Sequence, residues 1–264
     1  MKAALLSRSF WRGAAGLLFL LALWEIFARS GLFTQALTPP LTSIAKVAWR
    51  ITLDGSLPQN AAYTLARVLI GLSLACLVGI PIGMLMGRFR AAERFFLPLV
   101  SVLMPIPSLA WVPLFILWFG IGDVTTLLVV GYAATFPVIY NTWTGVRAVN
   151  PLWVRSALSM GAGQRELFRK VVLPGASPYV FTGVRLAFGR AWIAVIGGEM
   201  LANPAAGLGR AIFDAREFLD SEVMLASIIA IGAVGIAFER LVFQFVESRT
   251  VARWGMVAAA RAPR

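Results

Sequence analysis

Apolar windows recur along the 264-residue chain at a length that fixes their role. Three of them, Val68 to Gly87, Phe95 to Gly122 and Val124 to Val146, contain no Asp, Glu, Lys or Arg. Each reaches the roughly 20 residues that a helix needs to cross a bilayer core about 30 Å thick. Three weaker windows, Trp11 to Ala28, Tyr179 to Leu201 and Val223 to Val246, carry one or more charges inside or at an edge. The pattern predicts an all-α membrane protein of about six spanning helices, at 11–28, 68–87, 96–119, 124–146, 179–201 and 223–246, in one membrane domain over 1–264.

A polar segment, Asn150 to Pro178, separates the fourth window from the fifth. Asn150 is suited to cap a helix that begins at Pro151, and Gly161 to end it in the left-handed conformation that a side chain resists. A second short helix is predicted from Gln164 to Leu173. Leu167, Phe168, Val171 and Val172 share one of its faces and Arg165, Glu166, Arg169 and Lys170 the other, while Pro174 discourages continuation. The product is a compact helix-turn-helix elbow beside a membrane. As a bare pattern it serves equally as a plain link between two spans.

The spans carry signals of their own. Gly71, Ala75, Gly79, Gly83 and Gly87 recur every four residues, a small-residue stripe that lets another helix backbone approach closely, and Pro81 within it is expected to bend the helix. The third span contains Pro98, Pro105, Pro107 and Pro113. Each removes a backbone donor, which lipid tolerates only where protein or a water-filled cavity covers the freed carbonyls. Arg190 falls near the middle of the fifth span, where an arginine costs about 2.5 to 3.5 kcal/mol on insertion scales and needs compensation. A salt bridge to a neighbouring helix is the simpler expectation; the sharper one is an electropositive point on the path of a small anion. Glu25 and Arg67 lie at similar depth and are expected to pair, whereas Glu199 and Glu239 have no evident partner in sequence.

Charge orients the chain. With the amino terminus inside, fifteen basic residues fall in inner segments: Lys2, Arg8, Arg12, Arg88, Arg90, Arg94, Arg147, Arg155, Arg165, Arg169, Lys170, Arg249, Arg253, Arg261 and Arg264. Five, Arg29, Lys46, Arg50, Arg210 and Arg216, fall outside. This bias places both termini and the elbow on the cytoplasmic side of a multi-pass membrane protein. It also accounts for the net charge of +12 and a pI near 11.3, so no nucleic-acid partner follows from basicity. A 59% hydrophobic, 14% charged composition with mean hydropathy +0.80 agrees with a membrane protein. The amino-terminal apolar run lacks an Ala-x-Ala-like cleavage site and is expected to remain as an uncleaved first helix. Outside the membrane, Leu208, Ile212, Ala215 and Leu219 have the spacing of an interfacial helix, and Thr38-Pro39-Pro40 suits the start of another.

The sequence has no histidine, a single cysteine at Cys76, no Gly-x-Ser-x-Gly and no Gly-Lys dipeptide. A soft metal site, a nucleophile elbow and a Walker-type phosphate loop are therefore not expected, nor any cofactor in this chain. ATP-driven work would need the ATPase on another polypeptide.

Ala157, Gly161 and the Leu173-Pro174 pair, at these separations, resemble the cytoplasmic coupling loop of permease subunits of ATP-binding-cassette importers. The run from Ile106 to Gly120 and Gly189-Arg190-Ala191-Trp192 resemble the nitrate, sulfonate, taurine and bicarbonate branch, over most of the chain from about Tyr63 onward. The resemblance implies a type I importer permease fold, with Arg155, Ser156, Ala157, Gly161, Ala162, Gly163, Leu173 and Pro174 coupling to the ATPase. It also tips Pro107, Ser108, Trp111, Arg190 and Trp192 toward the translocation path. Implied partners are ATPase subunits holding ATP and Mg, an extracytoplasmic solute-binding protein, and, within the bilayer, a second permease subunit that is either a copy of this chain in a homodimer or a close paralogue. One departure stands out: Arg155 occupies a position that is usually acidic in the family, followed by Ser156, so its charge is reversed. Two rivals remain. An ion-coupled secondary transporter needs a midplane acid, yet Glu25, Glu199 and Glu239 lie off-centre; a membrane enzyme needs catalytic groups that the sequence does not offer.

Overall fold

The computed structural model describes residues 8–30, 34 and 37–243, and no strand occurs among them. Positions 244–246 of the predicted last span, with Lys2, Arg249, Arg253, Arg261 and Arg264, lie outside the described residues. The helices are α1 (Arg8–Arg29), α2 (Leu41–Leu53), α3 (Ser56–Arg88), α4 (Arg90–Leu103), α5 (Val112–Phe119), α6 (Asp123–Arg147), α7 (Pro151–Ser159), α8 (Gln164–Leu167), α9 (Leu173–Ala202), α10 (Leu208–Glu217) and α11 (Ser221–Phe238).

Helix α6 is the axis of the bundle. Its Val129, Val130, Ala134 and Val138 are fully buried between α3 and α9. The small-residue stripe of α3 lies along it, its glycines and the α6 knobs advancing in step: Gly71 meets Val130, Gly79 meets Val138, Gly83 meets Thr142 and Gly87 meets Val146. The approach leaves no room for a side chain. A Cβ at Gly87 would sit 2.4 Å from the Val146 Cβ, and one at Gly83 would sit 2.7 Å from the Ile139 carbonyl oxygen. Helix α3 runs through Pro81 as a single helix of 33 residues.

Five helices among the described residues are long and apolar enough to cross a membrane, and the proline-rich third segment makes a sixth crossing from two pieces bent by 88°. Its two ends show that it crosses. Glu93 in the first turn of α4 pairs with Arg147 at the end of α6, while the Gly120–Gly122 turn after α5 leads into the start of α6, where the Gly122 amide donates to Ala202 O at 2.8 Å. The segment therefore reaches both ends of the same spanning helix. The break lies at Met104–Pro107, where Pro107 offers no amide to the Leu103 carbonyl four residues back. Tyr132 Oη of α6 donates to that oxygen at 2.6 Å instead, joined by the Ile106 amide at 3.1 Å.

Pro174 does not end the second elbow helix as its position predicts. Residues Phe168–Val172 form a π-helical turn, in which the Leu173 amide bonds back five residues to Phe168 O, and the chain continues into α9 without interruption. The widened turn carries one extra residue and makes room at the point where the proline ring would otherwise crowd the preceding turn. One helical run therefore extends over Gln164–Ala202, 39 residues.

The expected Glu25–Arg67 pair is also corrected. Glu25 binds Arg29 at 2.7 Å on its own helix and accepts the Leu41 amide at 2.7 Å, fixing α1 to the start of α2. Arg67 instead reaches Asp123 at 2.7 Å and Glu199 at 2.6 Å. Glu239 also has a partner, Arg185, at 2.9 Å. Of the two outer helices, α2 begins after Pro40 and packs Ile44, Val47 and Ile51 on Ala226 of α11. Helix α10 buries Leu208, Ile212 and Ala215 against its neighbours, so it packs on protein rather than on lipid; Leu219, at φ +55°, lies beyond its end and is exposed.

Candidate functional site

The elbow forms at one end of the bundle. The Asn150 side chain accepts from the Leu152 amide at 2.9 Å, with Pro151 in the first turn of α7. At its other end the Ala162 amide bonds to Ala157 O and the Gly161 amide to Leu158 O, both at 3.0 Å, with Gly161 at φ +82°. That pair of bonds is a Schellman closure, which needs the left-handed residue glycine supplies most cheaply. Ala157, Leu167 and Val172 are buried with Val146, Val149 and Ala176, which seats the elbow on the ends of α6 and α9. Arg88 of α3 adds a hydrogen bond to Gln164 Oε1.

What remains outside is unusual for a polar segment. Leu152, Trp153, Leu158 and Met160 are exposed, Met160 at 82%. Arg155, Ser156, Gly161 and Gly163 share this outer surface, while Ala162 is half-buried. A cavity of about 300 Å³ lies between the turn and the start of the long helix, lined by Ala157, Met160, Gly161, Ala162, Glu166 and Lys170 among others. Leu173 and Pro174 lie in the continuing helix, so of the eight predicted elbow positions they alone stand away from the turn.

The second place is the break in the third span. Met104, Pro105, Ile106, Pro107, Ser108 and Leu109 form one wall of a cavity of about 380 Å³; Tyr132, Ala133, Phe136 and Pro137 of α6 and Arg190, Ile193 and Ala194 of α9 complete it. Arg190 is exposed and makes no hydrogen bond or ion pair among the described residues. The simpler expectation for it, a salt bridge to a neighbouring helix, is thus not met: the acids on the facing elements are engaged elsewhere, Glu199 with Arg67 and Glu239 with Arg185. Arg190 is about 18 Å along α9 from Ala202 at 1.5 Å per residue, so its guanidinium lines the cavity from an exposed face well away from either end of the helix.

Pro107, Ser108 and Arg190 thus come together. Trp111 stands behind the cavity, its ring 6.1 Å from Phe115 and 5.5 Å from Tyr132. Trp192 points to the other side of α9, stacked on Phe188 at 5.9 Å and against Gly235, and does not line the cavity. Sequence reading missed Tyr132, which both braces the break and lines the cavity; the freed Leu103 carbonyl was its only trace. The span acids that an ion-coupled transporter would use, Glu25, Glu199 and Glu239, are each paired.

The family model described as "Binding-protein-dependent transport system inner membrane component" matches residues 79–250. Among similar proteins, the taurine transport system permease protein of Escherichia coli is 32% identical over 239 residues, covering 89% of this chain and 86% of that one. The bicarbonate transport system permease protein of Synechococcus elongatus is 35% identical, covering 86% and 85%. An aliphatic sulfonates transport permease protein of Escherichia coli is 33% identical, covering 82% of both. In fold, the chain is similar to the methionine ABC transporter solved in inward-facing conformations, with a TM-score of 0.62 at 19% identity over 76% of this chain and 97% of that chain.

Proposed function

We propose a division of labour between two sites, starting from the fact that this chain belongs to the binding-protein-dependent transport family and is the membrane subunit of an ATP-binding-cassette importer. ATP hydrolysis belongs to a separate ATPase subunit, and a solute-binding protein delivers the cargo. In our reading the elbow, from Arg155 to Gly163, faces the cytoplasm and docks the ATPase that holds ATP and Mg. The exposed Leu152, Trp153, Leu158 and Met160 carry this reading, because an apolar surface on a charged segment outside the spans fits a protein partner. Two copies of the chain pair in a bacterial inner membrane, both termini inside, and closure of the ATPase dimer pushes the two elbows together. The 39-residue helix carries that motion into the bundle.

The path runs past the proline break, and Arg190 gives it an electropositive point. The cargo is then a small anion or zwitterion bearing an anionic group. Relatives named for taurine, aliphatic sulfonates and bicarbonate support that class, and nitrate belongs to it chemically.

The test is a crosslink. With Cys76 replaced by Ala and a cysteine at Ala162, the assembled complex is expected to crosslink to single cysteines across the ATPase surface. An assembled complex with no crosslink anywhere would overturn the docking role. Uptake of taurine, alkanesulfonate and bicarbonate by the reconstituted transporter then identifies the cargo.

A further inference from the structure

At the end of the bundle away from the elbow, one carboxylate ties four elements together. Glu199, in the last turn of α9, is wholly buried. It accepts from Arg67 Nη1 at 2.6 Å, from Thr64 Oγ1 at 2.9 and 3.0 Å, and from the Gly209 amide at 2.8 Å. The two amides before Gly209 are fastened to α3: that of Leu208 donates to Thr64 Oγ1 and that of Gly207 to Asn60 Oδ1, both at 2.9 Å. Arg67 extends the cluster to Asp123 at the start of α6. The packing is closed, since a Cβ at Gly207 would lie 2.4 Å from the Glu199 carboxyl carbon.

A buried carboxylate is retained at a net cost unless every lone pair is matched, and here a cation, a hydroxyl and a helix amide match them. The start of α10 has no side-chain cap of its own; Glu199 and the α3 side chains do that work. Helix α9 therefore carries the elbow at one end of its run and the anchor of α10 at the other. We infer that Glu199 is a positioning residue for coupling: it makes α10, at the face where a binding protein arrives, move as one body with the elbow. This rests on the docking role proposed for the elbow.

The experiment uses the complete transporter, reconstituted with its ATPase and binding protein. In Glu199→Gln the amide NH2 must face either Arg67 or the Gly209 amide, donor against donor, in a side chain of unchanged size. Hydrogen exchange across 207–217 is expected to rise about tenfold, a local opening with exchange across 150–163 unaltered. Basal hydrolysis and the Ala162 crosslink persist, while stimulation by the loaded binding protein falls about fivefold or more, the scale of ordinary coupling between sites. Thr64→Val repeats the loss and Thr64→Ser, which keeps the hydroxyl, does not. Normal stimulation in Glu199→Gln overturns the proposal. So does early melting of both variants with coupling per assembled complex unchanged, which would assign the cluster to stability alone. Failure of the wild-type crosslink instead removes the docking reading, so the two are separable.

Discussion

Two arginines within the spans illustrate opposite uses of the same side chain. Arg67 is buried and holds Glu199 and Asp123, so Arg67→Met strands a buried carboxylate and is expected to cost about 3 to 5 kcal/mol. The melting temperature and yield of the purified chain check this. Arg190 has no partner among the described residues to strand. Arg190→Gln is therefore expected to leave melting unchanged while uptake of the anion falls about tenfold, equal to about 1.4 kcal/mol of lost interaction. A stable mutant with normal uptake would remove Arg190 from the path. Sequence placed both residues on long apolar helices but matched Arg67 with the wrong acid. Hydropathy reports position along the membrane normal, and Arg67 finds Glu199 132 positions away through helix packing that no local pattern encodes.

Among the helices, local chemistry was legible wherever it was local. Asn150, Pro151 and Gly161 mark the ends of α7 because caps and left-handed closures are satisfied by neighbours in sequence. The stripe of α3 showed that a helix would pack there, though not that α6 would supply the knobs. Pro174 is the exception: a proline ordinarily stops a helix, but here the chain absorbs it with a π-turn. Two substitutions test this scale. Gly161→Val places a branched side chain at φ +82°, so the elbow is mis-aimed with the spans untouched. Basal ATPase is expected to persist and stimulation by the loaded binding protein to vanish; retained stimulation would show that the closure is not needed. Gly87→Val drives a side chain into Val146 and is expected to destabilise the chain by about 1 to 3 kcal/mol, the range of core overpacking, read as a lower melting temperature.

At the level of the whole molecule, one face of α9 stands out. Thr182, Leu186, Gly189, Arg190 and Ile193 form an exposed ridge with the proline-break cavity on one flank and the crevice toward α11 on the other. In the proposed homodimer this ridge is expected to meet its own copy across a two-fold axis, which would bring two guanidiniums together. A cysteine at Ile193, in the Cys76→Ala background, is expected to form a disulfide-linked dimer on oxidation. An assembled transporter that yields none would exclude this arrangement. The five to six apolar lengths were legible in the sequence, but the exposed ridge was not, because a helix face is exposed or covered by packing that composition does not encode.

The π-turn at Phe168–Val172 sets an angular phase. Each residue of an α-helix turns its successors by about 100°, so a surplus residue wound as α-helix would rotate everything before it relative to everything after; the wider π-turn takes it up within one turn and keeps the phase. The direction in which the elbow faces around the axis of α9 is thus held by this turn, independently of what the elbow surface contains. Deleting Lys170 removes the surplus residue, so the turn should revert to α-helical winding with the elbow still at about its present heading. The spans would still insert, the elbow would keep its own fold and the Ala162 crosslink to the ATPase would persist; a crosslink lost in this deletion would show that the π-turn does not hold the elbow's heading.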